Sequence, residues 1–320
     1  MIRTLASMNR PLAQFAAPFC VSVPASTSNL GPGFDLLGLA LSIWIRVTVE
    51  EVNEENVISF AKRTGEALKW PEDETNLVVR GMRSSGLRGT GLVLSAHSEI
   101  PIARGLGSSG AALVAGLLLG AALSDQPDSR PQQHARGVRI EGHPDNITAS
   151  LFGGLTLCHP TAGDDAKPLL VQGSVHGDLE FAVAWPDTQL STEAARAVLP
   201  KTVSFSDAIE NPRRLTLLLE GLRQCDPQLI RAGLEDRLHE RYRLPLIPGA
   251  EEALDAAREA GAFGACISGS GSSLVAIGAR GTMEPVASAM GLALGDANEN
   301  AHARVCQIVR DAPEVTAINP

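Results

Sequence analysis

An α+β chain is predicted from three features of the sequence: one segment with strict apolar alternation, another that is apolar on nearly every side over helix length, and Gly-rich turns between segments of unlike period. Residues Ser42 to Glu50 set Ile43, Ile45, Val47 and Val49 against Trp44, Arg46, Thr48 and Glu50, the period of a half-buried strand. A second strand is expected over Gly91 to His97, with a helix between them from Thr75 that stops at Gly86. The run from Gly110 to Leu123 predicts a helix buried against a sheet and a neighbouring helix. In the second half, strands are expected over Leu179 to Trp185, Ala265 to Ser268 and Ser273 to Ala279. Helices are expected over Ser191 to Leu199, Asp207 to Leu222, Pro227 to Arg237 and Ala250 to Ala260. The polar, Gly-containing stretch His159 to Lys167 reads as the boundary between two domains, residues 18–165 and 166–320.

Composition narrows the function. Hydrophobic residues at 44% and charged residues at 20% fit a globular chain with a sizeable core. A net charge of −9 without a basic stripe opposes nucleic-acid binding, and aromatics at 4% leave few stacking platforms for bases. The longest strongly apolar run, Ala111 to Leu123, is well short of the ~20 residues needed to span a bilayer. Cys20, Cys158, Cys225, Cys266 and Cys306 show no paired spacing suited to zinc or redox work and read as reduced thiols of a cytoplasmic protein. Residues 1–17 read as an irregular extension, or as a start that lies at Met8.

The most informative segment is "PIARGLGSSGAA", Pro101 to Ala112. Gly105 and Gly107 remove side chains where a backbone must bend and approach a ligand, and Ser108 and Ser109 open a helix. Free N–H groups and the positive end of the helix dipole converge there, which suits a phosphate. No Lys follows the glycines, so this is not a Walker A loop, and the glycine spacing is not that of a dinucleotide fingerprint. Near the amino end, Asn29 offers an amide that both donates and accepts, and Asp35 offers a carboxylate suited to an ammonium group.

The string from Pro101 to Ala112 resembles the signature of GHMP kinases, named for galactokinase, homoserine kinase, mevalonate kinase and phosphomevalonate kinase. "VSVPASTSNLGPGFDLLGLAL" (Val21 to Leu41) resembles the first motif of that superfamily in its homoserine kinase form. "CISGSGSSLVAIG" (Cys266 to Gly278) resembles the third, although Ser272 stands where most relatives carry Pro, which frees an N–H and loosens the turn. "EGHPDNITASLFGGLTL" (Glu141 to Leu157) and "HERYRLPLIPG" (His239 to Gly249) resemble homoserine kinase segments as well. The resemblance implies a two-domain fold, with an amino-terminal domain like ribosomal protein S5 domain 2 and a ferredoxin-like carboxyl-terminal domain.

It also implies a reaction and its residues. ATP would give its γ-phosphoryl group to the side-chain hydroxyl of L-homoserine, making O-phospho-L-homoserine for threonine synthesis. Pro101, Ile102, Ala103 and Arg104 would enter the nucleotide site, Gly105 to Ser109 (through Leu106, Gly107 and Ser108) would cradle the phosphates, and Gly110 and Ala111 would follow in the helix. His143 and Asn146 would lie in the active site, Asn29 and Asp35 would hold the acceptor, and Arg243 would take its carboxylate, a role suited to a guanidinium fork. Asn146 stands where mevalonate kinase has an Asp that can act as a base, so catalysis without a dedicated side-chain base is expected.

Mg²⁺ would be met by Ser109 and an acid. Several relatives carry a Glu about two helical turns before His143, but that position here is Ala135; Glu141 either replaces the missing ligand or pairs with a surface Arg. A homodimer is implied. Two other readings stay open: a GHMP kinase acting on another small alcohol such as mevalonate or a sugar, and a non-catalytic nucleotide or amino-acid sensor.

Overall fold

The computed structural model describes residues 17–87, 90–124, 127–159 and 168–318. All but Ala17 of the irregular extension expected over residues 1–17, and most of the expected domain boundary, residues 160–167, lie outside them.

A seven-stranded sheet forms the first layer. It contains β1 (Phe19–Asn29), β2 (Gly33–Asn53), β3 (Ile58–Gly65), β4 (Gly91–Ser98), β5 (Leu155–His159), β6 (Leu169–Gly173) and β11 (Val315–Ala317). Its main path runs β11-β1-β2-β4-β3, and β5 pairs with the early half of β2, with β6 outside it. The alternation in 42–50 puts Ile43, Ile45, Val47 and Val49 fully inside, as the pattern predicted. β2 nevertheless begins at Gly33, because its first half pairs with β1 and β5 at once, and that continuity has no signature in local alternation. β6 and β11 follow residue 165 in sequence yet join this first sheet.

The sheet is covered by α1 (Leu77–Ser84), α2 (Ser108–Ala122), α3 (Arg130–Glu141) and α4 (Pro144–Phe152). Every residue of α2 from Gly110 to Ala122 is buried, since the helix contacts β1 and β2 on one side and α1, α3 and α4 on others. Such a helix must be apolar all round. Asn76 caps α1 by accepting the Val78 N–H at 2.9 Å, so that helix begins just after the Thr75 start predicted for it.

The second sheet has strand order β10-β7-β9-β8, from β7 (Leu179–Pro186), β8 (Gly264–Ile267), β9 (Leu274–Ala279) and β10 (Ala301–Cys306), all antiparallel. With α9 (Ala250–Glu259) and α10 (Met283–Ala297) this is a ferredoxin-like arrangement. Between β7 and α9 run α5 (Thr192–Ala197), α6 (Phe205–Gln224), α7 (Pro227–Gly233) and α8 (Glu240–Arg243). The helix predicted to reach Arg237 ends at Gly233, because the Asp236 carboxylate accepts the N–H groups of Leu238, His239 and Glu240 and starts α8 instead. β7 divides its side chains between two cores: Phe181 and Val183 enter the larger one, and Ala182 and Ala184 the smaller one under α9 and α10. No helix among the described residues is long and apolar enough to cross a membrane, and all five cysteines are free thiols.

Candidate active site

The chain between β4 and α2 turns three times through left-handed backbone, at Ala103 (φ 56°), Gly105 (φ 74°) and Gly107 (φ 67°). Gly105 is obligatory: a Cβ there would lie 2.1 Å from the Ser268 carbonyl oxygen. The loop is held by its own main chain, with Ser26 N–H on the Leu106 carbonyl (3.2 Å), Ser273 N–H on that of Arg104 (3.0 Å) and the Ser268 hydroxyl on that of Gly105 (2.7 Å). Gly105, Gly107, Ser108 and Ser109 line a cavity of about 490 Å³, which Ile102 and Ala103 also border. Leu106, Gly110, Ala111 and Pro101 are buried. Arg104 sits at the rim of the cavity, but its guanidinium donates to the Pro186, Ile102 and Asp187 carbonyls.

The third motif packs where the sequence placed it, as the turn between β8 and β9. Gly269 N–H donates to the Ser28 carbonyl at 2.9 Å, and the Ser272 hydroxyl donates to the Thr188 carbonyl at 2.7 Å.

Glu141 ends α3 directly opposite the start of α2, and the Ser109 hydroxyl donates to its carboxylate. The Glu141 side chain lines the cavity, and the Arg80 charge acts on it from nearby. Burial raises its pKa above the usual carboxylate range, with the Ser109 hydrogen bond opposing that shift. Ala135 is exposed on α3. The hard oxygen donors of Ser109 and Glu141, beside a phosphate-sized turn, are of the kind Mg²⁺ takes together with phosphate oxygens.

His143 is the N-cap residue of α4, and Asn146 follows within its first turn. The Ser26 hydroxyl donates to Asn146 Oδ1 at 2.9 Å, fixing the amide beside Gly107. Between them is Asp145, which sequence reasoning passed over. It is buried at 4% exposure, lines the cavity and accepts the Asn146 N–H at 2.8 Å. Burial raises its pKa. Its signal was adjacency alone, an acid beside a motif Asn.

At the opposite end of the cavity, residues from far apart in sequence meet. Asn29 is buried and donates its amide to the Gly269 carbonyl at 2.7 Å, while its Oδ1 accepts the Asp35 N–H at 3.0 Å. Arg243 is 1% exposed; its Nε donates to the Ala195 carbonyl (3.1 Å) and its Nη1 to that of Gly269 (3.2 Å). Asp35, expected to face an ammonium group, holds Arg196 in a two-point ion pair at 2.6 and 3.1 Å. Arg196 was missed, since α5 carries no motif. Its guanidinium lies 5.4 Å from the Phe34 ring centroid, with that of Arg243 5.1 Å away, so two cations flank one ring. Burial and the nearby Arg196 charge both lower the Arg243 pKa. Two guanidiniums held this close favour an anionic group between them. Lys69, Trp70, Asn76 and Leu77 border the cavity beyond the phosphate loop and were also missed.

The "GHMP kinases N terminal domain" family model matches residues 75–154 and "GHMP kinases C terminal" matches residues 218–296. The chain is 40% identical over 262 residues to a homoserine kinase of Prochlorococcus marinus strain MIT 9303, covering 80% of this chain and 82% of that one. It is 40% identical over 264 residues, with the same coverage, to one of Synechococcus sp. strain WH7803. Among solved structures it is similar to a homoserine kinase from Cytophaga hutchinsonii, with TM-score 0.83 and 26% identity over 96% of this chain and 100% of that one. It also shares the fold of L. major mevalonate kinase, with TM-score 0.65 and 15% identity over 97% and 99% of the two chains. Identity of this depth, sustained over four-fifths of the chain and joined to both GHMP kinase family models, places the chain in the homoserine kinase family of the GHMP kinases.

Proposed function

We infer that the protein is an ATP-dependent homoserine kinase, transferring the γ-phosphoryl group to the side-chain hydroxyl of L-homoserine to give O-phospho-L-homoserine in threonine biosynthesis. One observation carries this reading: the turn at Gly105 to Ser109 and the paired guanidiniums of Arg196 and Arg243 face a single cavity. The nucleotide phosphates would lie on the N–H groups at the start of α2, with the base toward Trp70 and Asn76. Arg243 and Arg196 would take the acceptor carboxylate, and Asn29 and Asp35 its amino end, with Asp35 then shared between Arg196 and the ammonium group. These two charged ends favour an amino acid over mevalonate or a neutral sugar. Residues 18–165 would form the ATP-binding domain and 166–320 the second domain, except that β6 and β11 from the second range join the first sheet.

Phosphoryl transfer depends on alignment and on neutralising charge. Asn146, held by Ser26 and Asp145, would orient the acceptor hydroxyl, and its proton would leave to a phosphate oxygen or water because an amide cannot take it. Mg²⁺, when bound by Ser109 and Glu141, would supply charge neutralisation on the phosphates. His143 would border the transferred group. Glu141→Gln is expected to raise the Mg²⁺ concentration needed for half-maximal rate by about tenfold, and an unchanged requirement removes Glu141 from the metal site. We further propose a homodimer, on family resemblance alone, and a cytoplasmic location, on cysteines that are all free thiols.

The deciding experiment is a coupled ADP assay with ATP, Mg²⁺ and a panel of acceptors. Turnover with homoserine and not with mevalonate or galactose is expected. Nucleotide binding without turnover of any acceptor would favour the sensor.

A further inference from the structure

Arg104 lies inside the phosphate loop, yet its side chain is directed at main-chain carbonyls and at the Asp187 carboxylate, 3.9 Å away. At 6% exposure its Nε donates to the Pro186 carbonyl and its Nη1 to that of Ile102, both at 2.9 Å, and its Nη2 to that of Asp187. Pro186 ends β7, and residues 187–191 form a strap that leads straight into α5. Two further bonds tie this strap to the catalytic loops. Leu190 N–H donates to the Ala103 carbonyl at 3.2 Å, and the Ser272 hydroxyl donates to that of Thr188 at 2.7 Å. The strap then sets the acceptor end, because α5 carries Arg196 and supplies the Ala195 carbonyl that receives Arg243 Nε.

We propose that Arg104 is a positioning residue for the acceptor: from within the phosphate loop it fixes the strap that places Arg196 and Arg243, and its side chain contributes nothing to nucleotide binding. This rests on the homoserine kinase reading of the cavity. The asymmetry of the ties supports it. Without the Arg104 side chain the phosphate loop keeps its three main-chain anchors, on the carbonyls of Arg104, Gly105 and Leu106. The strap loses both Arg104 bonds that tie Pro186 and Asp187 to the phosphate loop; what remains at Asp187, its N–H on the Asn300 carbonyl (3.2 Å) and its carboxylate on His302 (3.0 Å), holds it toward β10 instead. Only a guanidinium spans two successive carbonyls; a lysine ammonium in the same space is a point charge without the fork.

The test is steady-state kinetics on Arg104→Lys, Arg104→Met and Ser272→Ala, varying homoserine and ATP separately. Turnover of homoserine by the wild type is established first, so failure of the kinase reading is seen independently. Both Arg104 variants are expected to raise KM for homoserine about tenfold or more, with KM for ATP within about twofold and kcat within about threefold. Ser272→Ala is expected to move KM for homoserine in the same direction by a smaller factor. It also serves if the Arg104 variants fail to give the wild-type circular dichroism spectrum. A rise in KM for ATP, equal losses for both substrates, or unchanged homoserine KM in the folded variants would overturn the proposal.

Discussion

The two ends of the cavity, one proposed for phosphate and the other for the acceptor, are built from different materials. The phosphate end is main chain: left-handed turns at Ala103, Gly105 and Gly107, the first N–H groups of α2, and carbonyls anchored by Ser26, Ser268 and Ser273. The acceptor end is side chain: Asn29, Asp35, Arg196 and Arg243 converge from β1, β2, α5 and α8 around the Phe34 ring. A main-chain site needs residues that stay out of the way, and a side-chain site needs residues brought from elsewhere. The first kind tolerates no added Cβ, and the second no lost charge.

The sharpest test of that contrast is Arg243→Met. It removes a buried guanidinium and leaves the Ala195 and Gly269 carbonyls without that donor. Loss of one member of such a charged contact costs about 2–5 kcal/mol, so kcat/KM for homoserine should fall about 30-fold or more while KM for ATP changes little. Equal loss for both substrates would mean that the ends are not separable.

Gly105→Ala probes the phosphate end. The new Cβ meets the Ser268 oxygen in backbone of positive φ, which should destabilise the fold by about 1–3 kcal/mol. The extra thermal protection given by an ATP analogue should shrink as well; retention of full protection would show that the turn does not cradle phosphate.

Asn146 lies at the seam. Asn146→Ala should cut turnover about tenfold or more, and Asn146→Asp should introduce an acidic limb into the pH–rate profile as the new carboxylate titrates. Unchanged turnover in Asn146→Ala takes the residue out of the active site.

A separate test, on stability rather than turnover, concerns α8, the helix that ends at Arg243. Desolvation pushes the Glu240 carboxyl from an ordinary value near 4.5 to about 8, with the Ile267 N–H bond working against the shift. Between those values the folded state keeps a proton that the unfolded chain has lost, so this group's contribution to stability falls as pH rises through the window. The slope is at most about 1.4 kcal/mol per pH unit. Glu240→Gln should flatten it, measured as melting temperature at pH 5, 7 and 8.5; an unchanged slope would place Glu240 in contact with solvent.

Legibility followed the same division. Gly105, Gly107, Ser108 and Ser109 stood out because a turn against a helix start demands those residue types in adjacent positions. Arg196 and Asp145 did not, because a charged residue on a short helix or beside a motif Asn looks like any surface charge until its surroundings are known. Asp35 shows the limit from the other side: its residue type suggested an ammonium partner, and the fold supplies Arg196 to the same carboxylate.

By itself the sequence determined the α+β class, the alternation of β2, the buried helix α2 and the Gly-rich turn before it, since each is a matter of local period or local backbone sterics. Only the tertiary structure decided that β6 and β11 return to the first sheet, that Arg104 faces a strap, and that Arg196 and Arg243 share one ring. Those are contacts between residues distant along the chain, and burial and charge pairing at such contacts depend on which surfaces meet.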